Sequence, residues 1–146
     1  MEDRIKLRGD VTLIHRGKAG EEKSKEEINN LIVTAGKVYL AKLLGKIETV
    51  GFDYIQIGTG TTAANATDTT LGTYYAEVQD VPTYEADNKT LFDETFSFTE
   101  AVAVTEAGIF NGVHTGPPTM LSRVVFAVKN MANGETLQVI WRIQQV

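Results

Sequence analysis

The sequence predicts a mainly β protein: an antiparallel β-sandwich or barrel-like domain with one α-helix near residues 34–47. From residue 52 onward, β-branched and aromatic residues alternate with polar ones between Gly, Asn, Asp and Pro, a pattern typical of antiparallel sheets with one buried face. The chain has 146 residues, of which 42% are hydrophobic and 23% charged, so it is long enough for one core and short for two. We therefore expect a single domain spanning residues 1–146.

The first thirty residues are predicted to hold two short strands followed by a charged loop. Residues 5–7 and 11–14 are mostly apolar and lie on either side of Gly9-Asp10, so each is a candidate strand. Residues 17–27 mix lysine and glutamate, which is typical of a solvated, flexible loop. The alternative for this stretch is an arm that orders against a neighbouring subunit.

A single helix is predicted over residues 34–47. Thr34 is placed to cap its N-terminus with a side-chain oxygen. Four apolar residues recur at helical spacing and form one stripe, which we expect to be buried: Leu40, Leu43, Leu44 and Ile47.

Six further strands are predicted from alternation of period two: residues 53–58, 74–81, 91–98, 105–110, 120–128 and 136–145. The last two are the clearest, and Asn133-Gly134 is expected to turn the chain between them. In the final strand, Trp141 is expected to face the core together with Val139 and Ile143.

The bulk composition excludes several classes of partner. With 14 Lys and Arg against 19 Asp and Glu the net charge is −5, so the surface should repel nucleic acid backbones. No apolar run approaches the roughly 18 residues of a membrane-spanning helix, and the N-terminus does not have the apolar core of a secretory signal. The absence of Cys agrees with folding in the cytoplasm and excludes disulfides and thiolate metal sites.

The stretch from Gly58 to Ala63 formally fits a dinucleotide-binding fingerprint after an apolar strand. That function needs a helix whose N-terminus points at the pyrophosphate. The residues after Gly60 are rich in Thr and have no apolar stripe at helical spacing. We therefore expect a loop, in which Asp68 and the threonines bond to the backbone, and we assign no cofactor.

Catalytic and metal sites are not indicated either. The two histidines, His15 and His114, have no marked nucleophile beside them. The carboxylates of residues 87–94 do not follow the spacing of a calcium-binding loop. No catalytic, cofactor-binding or metal-binding residue is therefore assigned.

Glu106 is the one acid set among apolar residues that should be buried. It is either a catalytic carboxylate with a raised pKa or a structural partner of Arg123 or Arg142 on neighbouring strands. We favour the structural ion pair.

Five blocks of sequence, in order, carry a resemblance to a known family: NLIVTAG with LAKLL (residues 30–36 and 40–44), IQIGTGT with DTTLG (55–61 and 68–72), VTEAGIF (104–110), LSRVVF (121–126) and LQVIWRI (137–143). In this order they extend over most of the chain, from residue 30 to residue 143, and together they resemble small virion proteins of tailed bacteriophages.

The resemblance implies a β-sandwich or barrel-like structural protein without catalytic residues. It implies a protein that binds copies of itself, as a homotrimer, and other virion proteins such as the major capsid protein, in a particle assembled in the host cytoplasm. We expect the loops at 58–72 and 111–118 to carry the contacts. The candidate interaction residues are Gly58, Gly60, Asp68, Leu71 and His114.

Two positions in the particle fit this expectation. A free-standing domain without a fibrous extension favours a capsid decoration, or cement, protein. The alternative is a tail, baseplate or fibre module, in which exposed aromatic residues stack on a glycan receptor. The aromatic candidates for that alternative are Tyr74, Tyr75, Tyr84 and Trp141.

Overall fold

Ten strands and one helix make up the fold, which a computed structural model describes for residues 3–146. The first two residues of the predicted domain lie outside the described range. The elements are β1 (Leu7–Arg16), β2 (Glu22–Asn29), β3 (Leu31–Ile32), α1 (Thr34–Leu44), β4 (Tyr54–Gly58), β5 (Tyr74–Gln79), β6 (Thr83–Glu85), β7 (Lys89–Ser97), β8 (Val102–Phe110), β9 (Met120–Met131) and β10 (Thr136–Gln145).

The strands form two antiparallel sheets of five strands each, and neither sheet closes on itself. The first sheet has the order β2-β1-β10-β7-β6, and the second has the order β3-β9-β8-β4-β5. The predicted mainly β class is thus confirmed, and of its two forms the structure is the sandwich.

The core lies between the two sheets and follows directly from the alternation in the sequence. In β10, Val139, Trp141 and Ile143 face inward and are buried, while the residues between them are only half-buried. Ile55 and Ile57 on β4 face them from the second sheet as part of the same apolar cluster. The expectation that Trp141 faces the core is confirmed.

The N-terminal third differs from the prediction in two ways. β1 runs without a break from Leu7 to Arg16, because Gly9 and Asp10 pair with β10 in regular register. The charged stretch predicted as a flexible loop over residues 17–27 is mostly strand β2, which begins at Glu22 and pairs with β1. Backbone hydrogen bonds hold an edge strand without an apolar face, and charged side chains protect such an edge from pairing with other chains.

The helix is shorter than predicted and is rotated about its axis. It begins at Thr34, but Val33 occupies the capping position without a side-chain hydrogen bond, so Thr34 is not the cap. Leu40 and Leu43 pack against the core as expected, whereas Leu44 is 90% exposed and Ile47, beyond the end of the helix, is 74% exposed.

The rotation follows from a close approach of the helix backbone to β9. A Cβ atom at Gly36 would lie 2.6 Å from the carbonyl oxygen of Leu121, so only glycine allows this approach. Gly36 and Tyr39 therefore face inward, and the same rotation turns Leu44 outward.

The turn at Asn133-Gly134 joins two different sheets. Gly134 has a φ of +88°, and its N–H donates to the carbonyl oxygen of Phe98 at 2.8 Å. β9 belongs to the second sheet and β10 to the first, so these consecutive strands do not pair with each other. Within residues 3–146 no helix is both long and apolar enough to cross a membrane.

Candidate interaction surface

The outer face of the second sheet is covered by the long loop between β4 and β5 and by the turn between β8 and β9. β4 pairs with β8 so that Gly58 lies opposite Glu106. Beyond Gly58 the chain forms an irregular loop over residues 59–73. Leu71 anchors this loop in a small apolar cluster with Val33, Phe110 and Met120. The sheet is therefore buried on both faces in this region.

The carboxylate of Glu106 is the centre of the loop's hydrogen bonding. It accepts backbone N–H groups from Gly60 at 2.5 Å, Gly72 at 2.7 Å and Thr73 at 2.8 Å. The neighbouring Thr105 hydroxyl donates to the carbonyl oxygen of Gly60 at 2.7 Å. The start of the loop is thus bound to both Thr105 and Glu106 of β8, and its end is bound to Glu106.

Arg123, on the adjacent strand β9, completes the network. Its guanidinium donates to Glu106 at 3.1 Å and to the carboxylate of Asp68 at 2.8 Å. It also donates to the carbonyl oxygen of Thr62 at 2.9 Å. The Arg123 side chain is 2% exposed and that of Glu106 is fully buried. Because every charge here has a partner, the network satisfies the condition under which buried ions are tolerated.

The predicted pair of Glu106 and Arg123 is therefore present, but Arg142 does not belong to it. Arg142 lies in the first sheet on β10, where its neighbour Trp141 faces the core and Arg142 faces outward. It donates to Glu85 at 2.8 Å, and this hydrogen bond raises the pKa of the Arg142 guanidinium. Including Arg142 in the pair was wrong, because alternation along a strand does not reveal which sheet the strand joins.

Three of the five candidate interaction residues are not accessible to a partner. Gly58, Gly60 and Leu71 are buried, and a Cβ at Gly60 would lie 2.3 Å from a carboxylate oxygen of Glu106. Asp68 is half-buried, and its carboxylate is occupied by Arg123. These four residues therefore stabilise the loop instead of contacting a partner.

His114 is exposed, as an interaction residue should be. Its ring stacks on that of Tyr74, with centroids 3.8 Å apart and planes 4° from parallel. Its backbone N–H donates to the carboxylate of Glu77 at 2.8 Å. The turn between β8 and β9 is thereby attached to β5.

The surface that the long loop offers to solvent is mainly threonine. These residues lie in the loop at 58–72 that was expected to carry contacts, but none of them was among the five candidate residues, although the run of threonines between Gly60 and Leu71 was the available signal. The exposed polar residues are Thr61, Thr62, Asn65, Thr67, Thr69 and Thr70.

The geometry of the loop also bears on the dinucleotide fingerprint. No helix follows Gly60 within residues 59–73, so the prediction of a loop is confirmed. The N–H of Gly60, which a phosphate-binding loop would direct at its ligand, is donated to Glu106. The backbone at Gly60 therefore binds the carboxylate of Glu106, which belongs to the protein itself.

A second buried polar cluster lies at the turn before β10. The Glu135 carboxylate accepts hydrogen bonds from Lys23 at 2.8 Å and from the backbone of Ala132 at 3.0 Å, and it lies 2.9 Å from Nε2 of His15. The hydrogen bonds from Lys23 and His15 lower the pKa of Glu135 to about 2. In the described part of the chain, no group of three or more His, Asp or Glu side chains is placed to hold a metal ion.

Of the aromatic residues considered for glycan stacking, Trp141 is fully buried and so unsuited to that role. Tyr74 is covered by His114, and Tyr75 donates its hydroxyl to Glu100 at 2.9 Å. Tyr84 alone among the four is freely exposed, at 77%.

Comparison with known proteins identifies no relative: no family model, no curated protein and no solved structure matches this chain.

Proposed function

We propose that this protein is a non-enzymatic structural protein of a tailed-bacteriophage virion, and that it is a capsid decoration protein. In this role it binds the major capsid protein and copies of itself and stabilises the shell. The resemblance of the five sequence blocks to small virion proteins is the starting point of the proposal. The class of fold is compatible with it, although a sandwich hosts many functions.

The observation that carries the proposal is the buried network of Glu106, Arg123 and Asp68. It fixes a fifteen-residue loop, residues 59–73, against a rigid sheet through backbone amides and carbonyls. A loop held in one conformation loses little entropy when a partner binds. A preorganised, polar and threonine-rich surface suits a protein whose task is adhesion.

The network also supports the choice of adhesion over catalysis for Glu106. Its carboxylate accepts three amide hydrogen bonds and the guanidinium of Arg123, and it has no exposure to solvent. A general acid or base must reach its substrate within hydrogen-bond distance. Glu106 is placed to support the loop.

The copy number of the chain in purified virions tests the proposal. Quantitative mass spectrometry of particles should give hundreds of copies, and shells assembled without the chain should lose resistance to heat and dilution. A handful of copies confined to the tail would reject the decoration role and favour the alternative of a tail, baseplate or fibre module. Absence from the particle would reject a virion role altogether.

A further inference from the structure

The outer strand β5 of the second sheet has a neighbour on one side only, where it pairs with β4. Just after β5, the N–H of Asp80 donates to the carbonyl oxygen of Asp53 at 2.7 Å. Because the direction of the backbone groups alternates along a strand, those of Val78 also face β4. The N–H and C=O groups of Glu77 and Gln79 therefore point away from the sheet. Within residues 3–146, no strand pairs with this side of β5.

The other edges of the two sheets are protected against pairing with another chain. Five of the eight residues of β2 are charged, whereas β6 and β3 have only three and two residues. β9 extends beyond β3, and there Lys129 forms an ion pair with Glu26 of β2, which connects the two edges on that side. Charged side chains, short strands and covered edges are the usual forms of this protection.

β5 has neither the charge nor the short length of those edges. It is six residues long, and Glu77 is its one charged residue. It contains neither Gly nor Pro, and Tyr74, Tyr75 and Val78 are residue types that favour strands. Val81, which follows the strand, is 83% exposed. A further strand would satisfy the free N–H and C=O groups of this edge with main-chain hydrogen bonds.

We propose that β5 pairs with β5 of a second copy of this chain, in antiparallel orientation about a two-fold axis. The second copy has the same outward groups at the same spacing, so the axis makes the contact self-complementary. The inference rests on the proposed function to the extent that a shell protein needs contacts between its copies, and it names the strand that makes one of them. This two-fold contact is separate from the trimer contact that the resemblance implies.

The outward groups and the charge of Glu77 determine the register of the two strands. With Glu77 opposite Gln79 of the second copy, both outward residues of each strand exchange main-chain hydrogen bonds. A shift that placed Glu77 opposite its own counterpart would bring two carboxylates together, which is unfavourable. A further shift would depend on Tyr75, which has no partner in the register of β4 and β5. The favoured register therefore places Val78 opposite Val78 of the second copy.

Proline at position 79 tests the contact without removing a hydrogen bond between β5 and β4. Gln79→Pro removes an N–H that points away from the sheet, and proline is tolerated at such a position on an edge strand. Gln79→Ala is the matched control, because it removes the same side chain and keeps the N–H. In light scattering at about 100 µM, the wild type and Gln79→Ala should have at least twice the mass of Gln79→Pro.

A single cysteine at position 78 tests the register, since the chain has no cysteine of its own. Residues that face each other in this way have Cα atoms about 4.5 Å apart, a separation that a disulfide can bridge. Val78→Cys should therefore form a disulfide-linked dimer when oxidised glutathione is added. Gln79→Cys is the control and should stay largely unlinked, because its two copies lie roughly 7 Å apart in the strand direction alone.

The inference is overturned if the wild type has the same mass as Gln79→Pro, or if Gln79→Ala loses association as Gln79→Pro does. It is also overturned if Val78→Cys forms no linked dimer or links no better than Gln79→Cys, and this comparison decides the matter if Gln79→Pro fails to fold. A wild type that does not form this pair but is present in hundreds of copies per virion would reject the contact and keep the proposed function. A protein that forms the pair but is absent from virions would do the reverse.

Discussion

At the scale of single residues, two carboxylates connect distant parts of the chain. Glu106 joins β8 to both ends of the loop at 59–73 and to Arg123 on β9. Glu135 joins the turn before β10 to Lys23 and His15 on the β1–β2 hairpin. In each case one acid satisfies several donors that would otherwise be buried without a partner, which is costly.

Replacing Glu106 by alanine should lower the free energy of unfolding by roughly 3–5 kcal/mol, because it leaves three backbone amides without their acceptor and removes one of the two carboxylates that pair with the buried Arg123. Chemical denaturation of the variant and the wild type measures this difference. Glu27→Ala, at an exposed position on β2, is the control and should change stability by less than about 0.5 kcal/mol. A Glu106→Ala protein with unchanged melting would contradict the structural role.

Glu135 should make the protein less stable in acid. Its pKa is lowered from 4.5 to about 2, so the unfolded chain binds the proton more tightly than the folded one. The stabilisation is therefore complete above the unfolded pKa and is lost as the pH falls from about 4.5 towards 2. Urea unfolding at several pH values in this window should show a smaller loss of stability in Glu135→Gln than in the wild type. Equal slopes for the two proteins would disprove the assignment.

The Glu106–Arg123 pair was predictable because an acid within an apolar strand must find a cation when it is buried. The choice between Arg123 and Arg142 was not, because it depends on which sheet each strand enters. The burial of Gly58, Gly60 and Leu71 against their own sheet was not predictable either. A loop that binds a partner and a loop that packs on its own sheet can have the same glycine-rich sequence.

At the scale of elements, the strands were predictable wherever one face is buried. β10 matches the predicted residues 136–145, because every second residue from Leu137 to Ile143 is apolar and buried. β2 was missed because an edge strand with charged side chains has no such alternation. The rotation of α1 was missed because it depends on Gly36 and on the backbone of β9, which are distant in sequence.

Gly36→Ala should destabilise the protein, although alanine normally stabilises a helix by roughly 1 kcal/mol over glycine. The added Cβ would lie 2.6 Å from the Leu121 carbonyl oxygen and 2.8 Å from its Cα, and backbone atoms cannot move aside easily. Thermal melting should show a decrease for this variant.

Gly45→Ala is the matched control at the end of the same helix. There the nearest atom to the added Cβ is the Cδ1 of Ile47, at 3.8 Å, so the melting temperature should stay near that of the wild type. A stabilised Gly36→Ala protein would show that α1 does not pack this closely on β9.

At the scale of the whole molecule, the fold depends on pairing between its two ends. β1 pairs with β10 over ten consecutive positions, from Leu7 opposite Gln145 to Arg16 opposite Thr136. Both sheets contribute to one continuous apolar cluster. Apart from the small cluster around Leu71 on the outer face of the second sheet, the buried apolar residues of each sheet pack against those of the other.

Heat should therefore unfold the described domain in one cooperative transition. For a chain of this length the calorimetric enthalpy should be roughly 100 kcal/mol near 60 °C and should equal the van't Hoff value. Scanning calorimetry at low protein concentration, where association contributes least, is the measurement. Two resolved transitions would mean that the sheets unfold independently.

The pairing of the first strand, β1, with the last, β10, brings the two ends of the described chain together. The N–H of Lys6 donates to the carbonyl oxygen of Val146 at 2.9 Å, and the N–H of Val146 donates to that of Lys6 at 2.8 Å. A few glycine and serine residues would suffice to link these positions covalently. The polypeptide could then be cut open within the exposed turn at 111–118, giving a circular permutant that keeps every strand neighbour while moving its free ends to the far side of the second sheet.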